Sequence, residues 1–283
     1  MSREIALVTD STSDLTPVMQ QRHGITVVPL NVHFGQETFR DGVDLAPDDF
    51  MHKMSTSEKL PTTSQPSVGE FEKVFRKLAD THDEILCVLI SSKLSGTIQS
   101  ATLAAEAVSD VIPVEIVDSR NVAFALGLQA IHASELVSTT TTAAEVAATM
   151  TTEVDRYHTV FFVETMEHLR RGGRIGKAAQ LLGSLLQLKP LLRVEEGQVV
   201  PFERTRTRSK AIDALVDFAR DLHRIEAAGV IYNTTPDEAK DLAEQIASVA
   251  GTKSIPVVQL GPVISTHVGP GVLGVVLKEA TGG

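Results

Sequence analysis

Four short apolar runs, at residues 5–9, 25–30, 85–90 and 114–117, constrain this chain more than any other feature. Each is rich in β-branched residues, and each is followed by a polar loop and then a helix-like pattern. That rhythm reads as βαβ. Runs so continuously apolar suit parallel strands covered on both faces, and such sheets bind ligands beyond the carboxyl ends of their strands. The expected fold class is therefore α/β, with an N-terminal βαβ domain built on a mainly parallel sheet.

After about residue 155 the pattern changes. A strand at 159–163 leads into a glycine- and arginine-rich turn and then a strongly apolar stretch at 181–192. A helix at 209–223, a strand at 229–232, a helix after Pro236 and a strand at 257–260 follow. With 283 residues the chain is long enough for two cores. The expected division is 1–155 for the first domain and 156–283 for a smaller C-terminal α/β domain. Helix starts are legible at Thr16-Pro17, where a cap precedes a proline. Ser67 with Glu70, and Thr142 with Glu145, have the spacing of a reciprocal capping box. The threonine run at 139–142 reads as a polar connection to that last helix.

Composition narrows the function. A hydrophobic fraction of 42% with 22% charged residues is that of a globular protein with an ample core. The net charge of -10 repels nucleic acid. Cys87 is the sole cysteine, so no internal disulfide exists, and its apolar setting marks it as an inert core thiol. Met1-Ser2-Arg3-Glu4 runs straight into the first strand without a signal-peptide pattern, and the weakly charged stretch 121–134 is too short for a bilayer and carries His132. The expectation is a cytoplasmic protein with no integral membrane segment. Nine histidines show no metal-binding spacing, and His158, Glu164 and His168 fit no standard site, so no metal is expected.

Three hydroxyl-rich segments lie where such a sheet presents ligands. Asp10-Ser11-Thr12-Ser13-Asp14 follows the first strand, and ligand contact and a helix-capping turn explain it equally well. Leu60-Pro61-Thr62-Thr63-Ser64-Gln65-Pro66-Ser67 is a loop stiffened by two prolines beside a helix N-terminus that favours anions. Ser91-Ser92-Lys93-Leu94-Ser95-Gly96-Thr97 combines a hydroxyl at Ser95, close backbone approach at Gly96 and the free N–H groups of the next helix. An anionic oxygen is the natural guest.

Other motifs fail on their details. The nucleophile elbow is absent because Lys93 and Thr97 stand at its glycine positions, which disfavours a hydrolase. A Ser95/His267 pair acting on acyl esters stays open as the alternative, since such pairs are defined by geometry. Gly269-Pro270-Gly271-Val272-Leu273-Gly274 matches a dinucleotide fingerprint but leaves no room for the ribose-binding acid, so it reads as a glycine-rich lead-in to a last helix with His267 at its rim. Arg170-Arg171-Gly172-Gly173-Arg174-Ile175-Gly176-Lys177 is one residue short of a phosphate loop. This turn, and the cluster Arg204, Arg206, Arg208 and Lys210, suit an acidic ligand, a partner surface or a solvated face.

Taken in order, Asp10-Ser11 with Asp14-Leu15, Thr63-Ser64-Gln65-Pro66-Ser67, Leu94-Ser95-Gly96-Thr97, Leu169-Arg170-Arg171-Gly172-Gly173-Arg174-Ile175 and the turn 267–271 resemble the DegV family over essentially the whole chain. The resemblance implies a two-domain α/β fold that binds a long-chain fatty acid such as palmitate between its domains. It implies a carrier in lipid metabolism, without catalysis or cofactor of its own, that presents the carboxyl group to a separate ATP-dependent fatty acid kinase and then holds the acyl phosphate. Thr63, Ser95, the Gly96 N–H and His267 would contact the carboxylate, with Thr62 as a substitute for Thr63. Arg171 and Arg206 would face the kinase. The segment 181–186 would cover the acyl chain or form a plain core helix.

Overall fold

The computed structural model describes residues 4–137, 142–182 and 189–281. Met1, Ser2 and Arg3, residues 139–141 of the threonine run and residues 183–186 of the apolar segment lie outside them. The chain opens with β1 (Ile5–Asp10), α1 (Pro17–His23) and β2 (Ile25–Val28), then β3 (Asn31–Phe34), β4 (Glu37–Arg40) and α2 (Pro47–Thr56). It continues through β5 (Thr62–Ser64), α3 (Val68–Ala79), β6 (Glu84–Leu89), α4 (Thr97–Ala107) and β7 (Val114–Asp118) to α5 (Phe124–Val137) and α6 (Ala143–Glu153).

The four apolar runs of the sequence form one parallel sheet in the order β2-β1-β6-β7. Every residue of β1 and β6 is buried, as two covered faces require. Side chains alternate between two cores with the period of a strand. Ala6, Val8, Ile85, Cys87 and Leu89 pack with Phe71 and Phe75 of α3 and Ala101 and Ala104 of α4. Ile5, Leu7, Leu86 and Val88 pack toward α5 instead. The caps form as their residues dictate: Thr16 accepts the Met19 N–H, Ser67 and Glu70 close a reciprocal box, and Thr142 accepts the Glu145 N–H.

The second half adds β8 (Tyr157–Phe162), α7 (Glu167–Arg171), β9 (Lys189–Glu195), β10 (Gln198–Thr205), α8 (Arg208–Asp221) and β11 (Ile225–Tyr232). It ends with α9 (Pro236–Ala250), β12 (Val257–Gln259), α10 (Pro262–Val268) and β13 (Leu273–Glu279). Its six strands run β10-β9-β8-β13-β11-β12, antiparallel except for the β11/β12 pair. Helices α8 and α9 cover one face through Leu215, Leu242 and Ile246. The other face meets α5, so one core joins both sheets. Helix α5 is buried from Phe124 to Ala130, and an all-round apolar helix is what a position between two sheets demands.

Two expectations are corrected. The glycine-rich turn after His267 leads into strand β13, not a last helix, and His267 itself sits inside α10. Gly269 and Gly271 both take positive φ to turn the chain, and residues 273–277 are buried between β8 and β11, where a short apolar run forms a strand. The loop at Thr62-Thr63-Ser64 is a strand as well: β5 pairs with β3 in a small antiparallel sheet β4-β3-β5, with Val32 opposite Thr63.

Candidate functional site

The parallel sheet's carboxyl edge, the strand β5 and the helices α7 and α10 enclose a cavity of about 340 Å³. Its walls are apolar and come from both halves: Ile90 and Val122 follow β6 and β7, while Phe161, Val194 and Val199 lie on β8, β9 and β10. Its polar end collects Thr63, Gln65, Ser95, Arg174 and His267. Residues up to 204 positions apart in sequence thus converge on one point.

Thr63 Oγ1 lies 2.8 Å from His267 Nε2. Alternation along β5 sets this choice: Thr63 is half-buried against the cavity, and its neighbour Thr62 is exposed and lines a second, outer cavity of about 740 Å³. Ser95 Oγ lies 2.9 Å from Thr97 Oγ1 and accepts the Thr97 N–H at 3.3 Å, which fixes the hydroxyl at the start of α4. Gly96 caps that helix, and a Cβ there would run into the Gln65 amide. Gln65 in turn donates to Gly96 O at 3.1 Å and to Ser100 Oγ at 3.0 Å, tying β5 to α4. The N-terminus of α3 is closed by its own capping box, whereas at α4 Gly96 offers no side-chain cap and Ser95 Oγ takes the Thr97 N–H beside the cavity that Ser95 lines.

His267 is held neutral. Burial, then the charges of Arg174 and His168, push its imidazole down to about 4, and its Nδ1 has no hydrogen-bond partner among the described residues. Arg174 donates to Leu94 O at 3.0 Å and to Gly172 O at 2.7 Å, which sets its guanidinium at the cavity. In the sequence Arg174 is one of the arginines of a turn suited to an acidic ligand, a partner surface or a solvated face, with nothing to set it apart from Arg170 and Arg171. The turn's own signal is Gly173, whose positive φ of 71° lets it fold back.

The remaining candidates separate. Arg171 is exposed, paired with Glu167 at 2.6 Å, and lines the outer cavity, which shares Thr63, Arg174 and His267 with the inner one. Arg206 is exposed in the turn before α8. Arg208 belongs to the framework: it pairs with Glu164 at 2.7 Å and Glu238 at 2.6 Å and lies over the Phe162 ring. The Asp10 loop also serves the framework, since Ile90 N–H donates to Asp10 at 2.7 Å and Gly261 N–H donates to Asp14 at 2.8 Å. No group of metal-ligating side chains occurs among the described residues. No helix among them is long and apolar enough to cross a membrane.

The hydrolase alternative meets an obstacle in this geometry. The Ser95 hydroxyl pairs with Thr97, the imidazole pairs with Thr63, and no carboxylate among the described residues orients Nδ1. A serine nucleophile requires the opposite arrangement.

Two sheets clasped around a pocket with one polar end and apolar walls define an α/β protein of the two-domain, cavity-bearing class. The family model DegV, described as an uncharacterised protein of the DegV family, matches residues 4–280. The chain belongs to the DegV family. A DegV domain-containing protein of Streptomyces coelicolor is 37% identical over 99% of this chain and 100% of its own length. Among solved structures, a DegV family protein from Thermus thermophilus, described by its fatty acid binding, is 37% identical with a TM-score of 0.89, covering 98% of this chain and 100% of that one. DegV of Bacillus subtilis, described as a fatty acid binding protein, is 32% identical with a TM-score of 0.87, covering 99% and 100%.

Proposed function

We propose that this protein binds a long-chain fatty acid, with the carboxylate at Thr63, Ser95, the Gly96 N–H, His267 and Arg174 and the tail along the apolar walls. The observation that carries the reading is the single cavity in which an anion-suited end opens onto walls of Ile90, Val122, Phe161, Val194 and Val199. Burying about fourteen methylenes at roughly 0.8 kcal/mol each supplies on the order of 11 kcal/mol before ordering costs. A buried carboxylate needs partners, and the hydroxyls, the α4 N-terminus and the guanidinium offset its desolvation. The tail gives affinity; the head group gives orientation.

The division of the chain at 155/156 belongs to the same reading, with the acyl chain held between the two units. The protein acts as a cytoplasmic carrier in lipid transport or fatty acid metabolism and performs no catalysis alone. It presents the carboxyl group through the outer cavity to a separate ATP-dependent kinase, with Arg171 and Arg206 facing that partner. Native mass spectrometry of the purified protein should show a bound fatty acid. A protein that is empty and takes up neither palmitate nor oleate would overturn the reading. In a reconstituted phosphorylation with such a kinase, Arg206→Glu should slow transfer and leave fatty acid affinity unchanged; equal rates for both proteins would remove Arg206 from the interface.

A further inference from the structure

His267 reaches Thr63 because the neighbouring helix leaves room for its ring. Helices α7 and α10 pack together, and each presents an imidazole to the glycine that ends the other. His168 of α7 lies against Gly269, where a Cβ would overlap Cδ2 and stand 2.8 Å from Nε2. His267 of α10 lies against Gly172, where a Cβ would overlap Nδ1 and stand 2.9 Å from Cε1. The interlock is reciprocal.

The two glycines differ in what demands them. Gly269 has a φ of 74°, a left-handed conformation that favours glycine whatever surrounds it. Gly172 has φ -73° and ψ -9°, where any L-residue is at ease and alanine would lower the entropy lost on folding. Backbone geometry therefore gives no reason for glycine at 172. Of the atoms around it, His168 O at 3.2 Å needs to yield only a few tenths of an ångström, whereas the His267 ring would have to leave its place.

We propose that Gly172 is a positioning residue for the head-group site: its missing side chain is the seat of the His267 imidazole and holds Nε2 at Thr63. The proposal rests on the reading of His267 as a head-group contact. It explains why the turn that supplies Arg174 also carries this glycine, since Arg174 donates to Gly172 O and the cation and the imidazole are set by one backbone segment.

A double-mutant cycle on the full chain tests it, with palmitate binding followed by calorimetry. Gly172→Ala should weaken binding about tenfold or more in the native background. In the His267→Ala background, where no ring remains to be displaced, the same change should cost less than about twofold. Gly69→Ala, at a helical position with open space around it, is the control and should have no effect. Equal losses in both backgrounds would make Gly172 a general packing residue, and no loss in either would show that the ring is not seated there; both overturn the proposal. Should His267→Ala alone leave affinity unchanged, the head-group reading fails instead, and the imidazole nitrogen resonances decide the proposal: Gly172→Ala must shift those of His267. If Gly172→Ala does not fold, recovery of the fold in Gly172→Ala/His267→Ala supports the seat, and failure of both variants overturns it.

Discussion

Two loops leave the same edge of the same sheet. β1 and β6 are parallel neighbours, and the segments that follow them, Ser11-Thr12-Ser13-Asp14 and Ser91-Ser92-Lys93-Leu94-Ser95-Gly96, are equally rich in hydroxyls. Their chains then diverge, β1 toward β2 and β6 toward β7, which opens the crevice where such sheets hold ligands. The first loop spends its polar groups inward. Asp10 accepts from Ile90 N–H, Thr12 N–H and the Thr12 hydroxyl, and Asp14 and Asp41 take the first amides of α10 at Gly261 and Val263. The second loop ties down its backbone and leaves Ser95 at the cavity. Position on the sheet makes a ligand site available; which side chains face the cavity decides whether it is one, since Ser13 Oγ is buried without a partner among the described residues whereas Ser95 Oγ, though paired with Thr97, lines the cavity.

The largest effects lie in the inward loop and in Asp41, which joins its carboxylates from the turn after β4. Burial raises Asp10 to about 6 and Asp41 to about 7, and it raises Asp14 strongly, with like charges nearby adding to Asp14 and Asp41. The folded chain therefore holds protons that the unfolded chain has released. Stability from this cluster is full below the ordinary carboxylate range near pH 4 and is lost as pH rises through about 6 to 7. Asp41→Asn keeps an acceptor for the Val263 N–H without a charge to bury. It should raise stability at pH 8 by on the order of 2–3 kcal/mol and flatten the fall between pH 4 and 8 in denaturant titrations. An unchanged slope would mean that the cluster is not the protonated group. Asp10→Ala should cost about 2 kcal/mol, since the Ile90 and Thr12 donors lose their acceptor, and should affect binding only through stability.

The outward loop should behave in the opposite sense. Ser95→Ala should weaken fatty acid binding about tenfold, the worth of one hydrogen bond to a charged group, while the melting temperature stays within a few degrees. Thr63→Val should do the same and also free the His267 ring. If Ser95→Ala unfolds the protein and Asp10→Ala abolishes binding in a stable one, the contrast between the loops is reversed.

Much of this contrast could be read from the chain, and the part that could not has a physical reason. The runs at β1 and β6 announce buried parallel strands because both faces are covered and most residues are apolar, whereas β7 lies at the sheet edge with only Val117 buried. The sequence points to Thr63, Ser95 and His267, and the structure lines one cavity with all three. The role of Asp10 was left open because its partner, the Ile90 amide, lies 80 residues away, and a turn with satisfied hydrogen bonds has the same sequence as one waiting for a ligand. β5 escaped notice because three residues show no period. β13 was read as a helix because an apolar run of that length suits either element, and only its pairing with β8 and β11 decides. Nothing in the turn's sequence separates Arg174 from its neighbouring arginines, since the acceptors that aim it, Leu94 O and Gly172 O, are backbone atoms that no motif records.

The smallest effect separates the loops by protons exchanged on binding. The His267 imidazole stands at about 4, pushed down by burial and then by Arg174 and His168. A carboxylate placed beside it opposes all three influences and raises it. Binding then takes up a fraction of a proton, so affinity grows as the pH falls toward the raised value. Between about pH 7.5 and 6, above the range where the fatty acid itself is protonated, the gain should be about twofold. Calorimetry in buffers of different ionisation enthalpy reads this uptake directly. His267→Asn, which keeps a hydrogen-bonding group but cannot titrate, should abolish it, whereas Asp41→Asn should leave it intact because that carboxylate answers to α10 and not to the ligand. Proton uptake that disappears in Asp41→Asn and persists in His267→Asn would place the ligand's proton in the inward loop and end the distinction between the two.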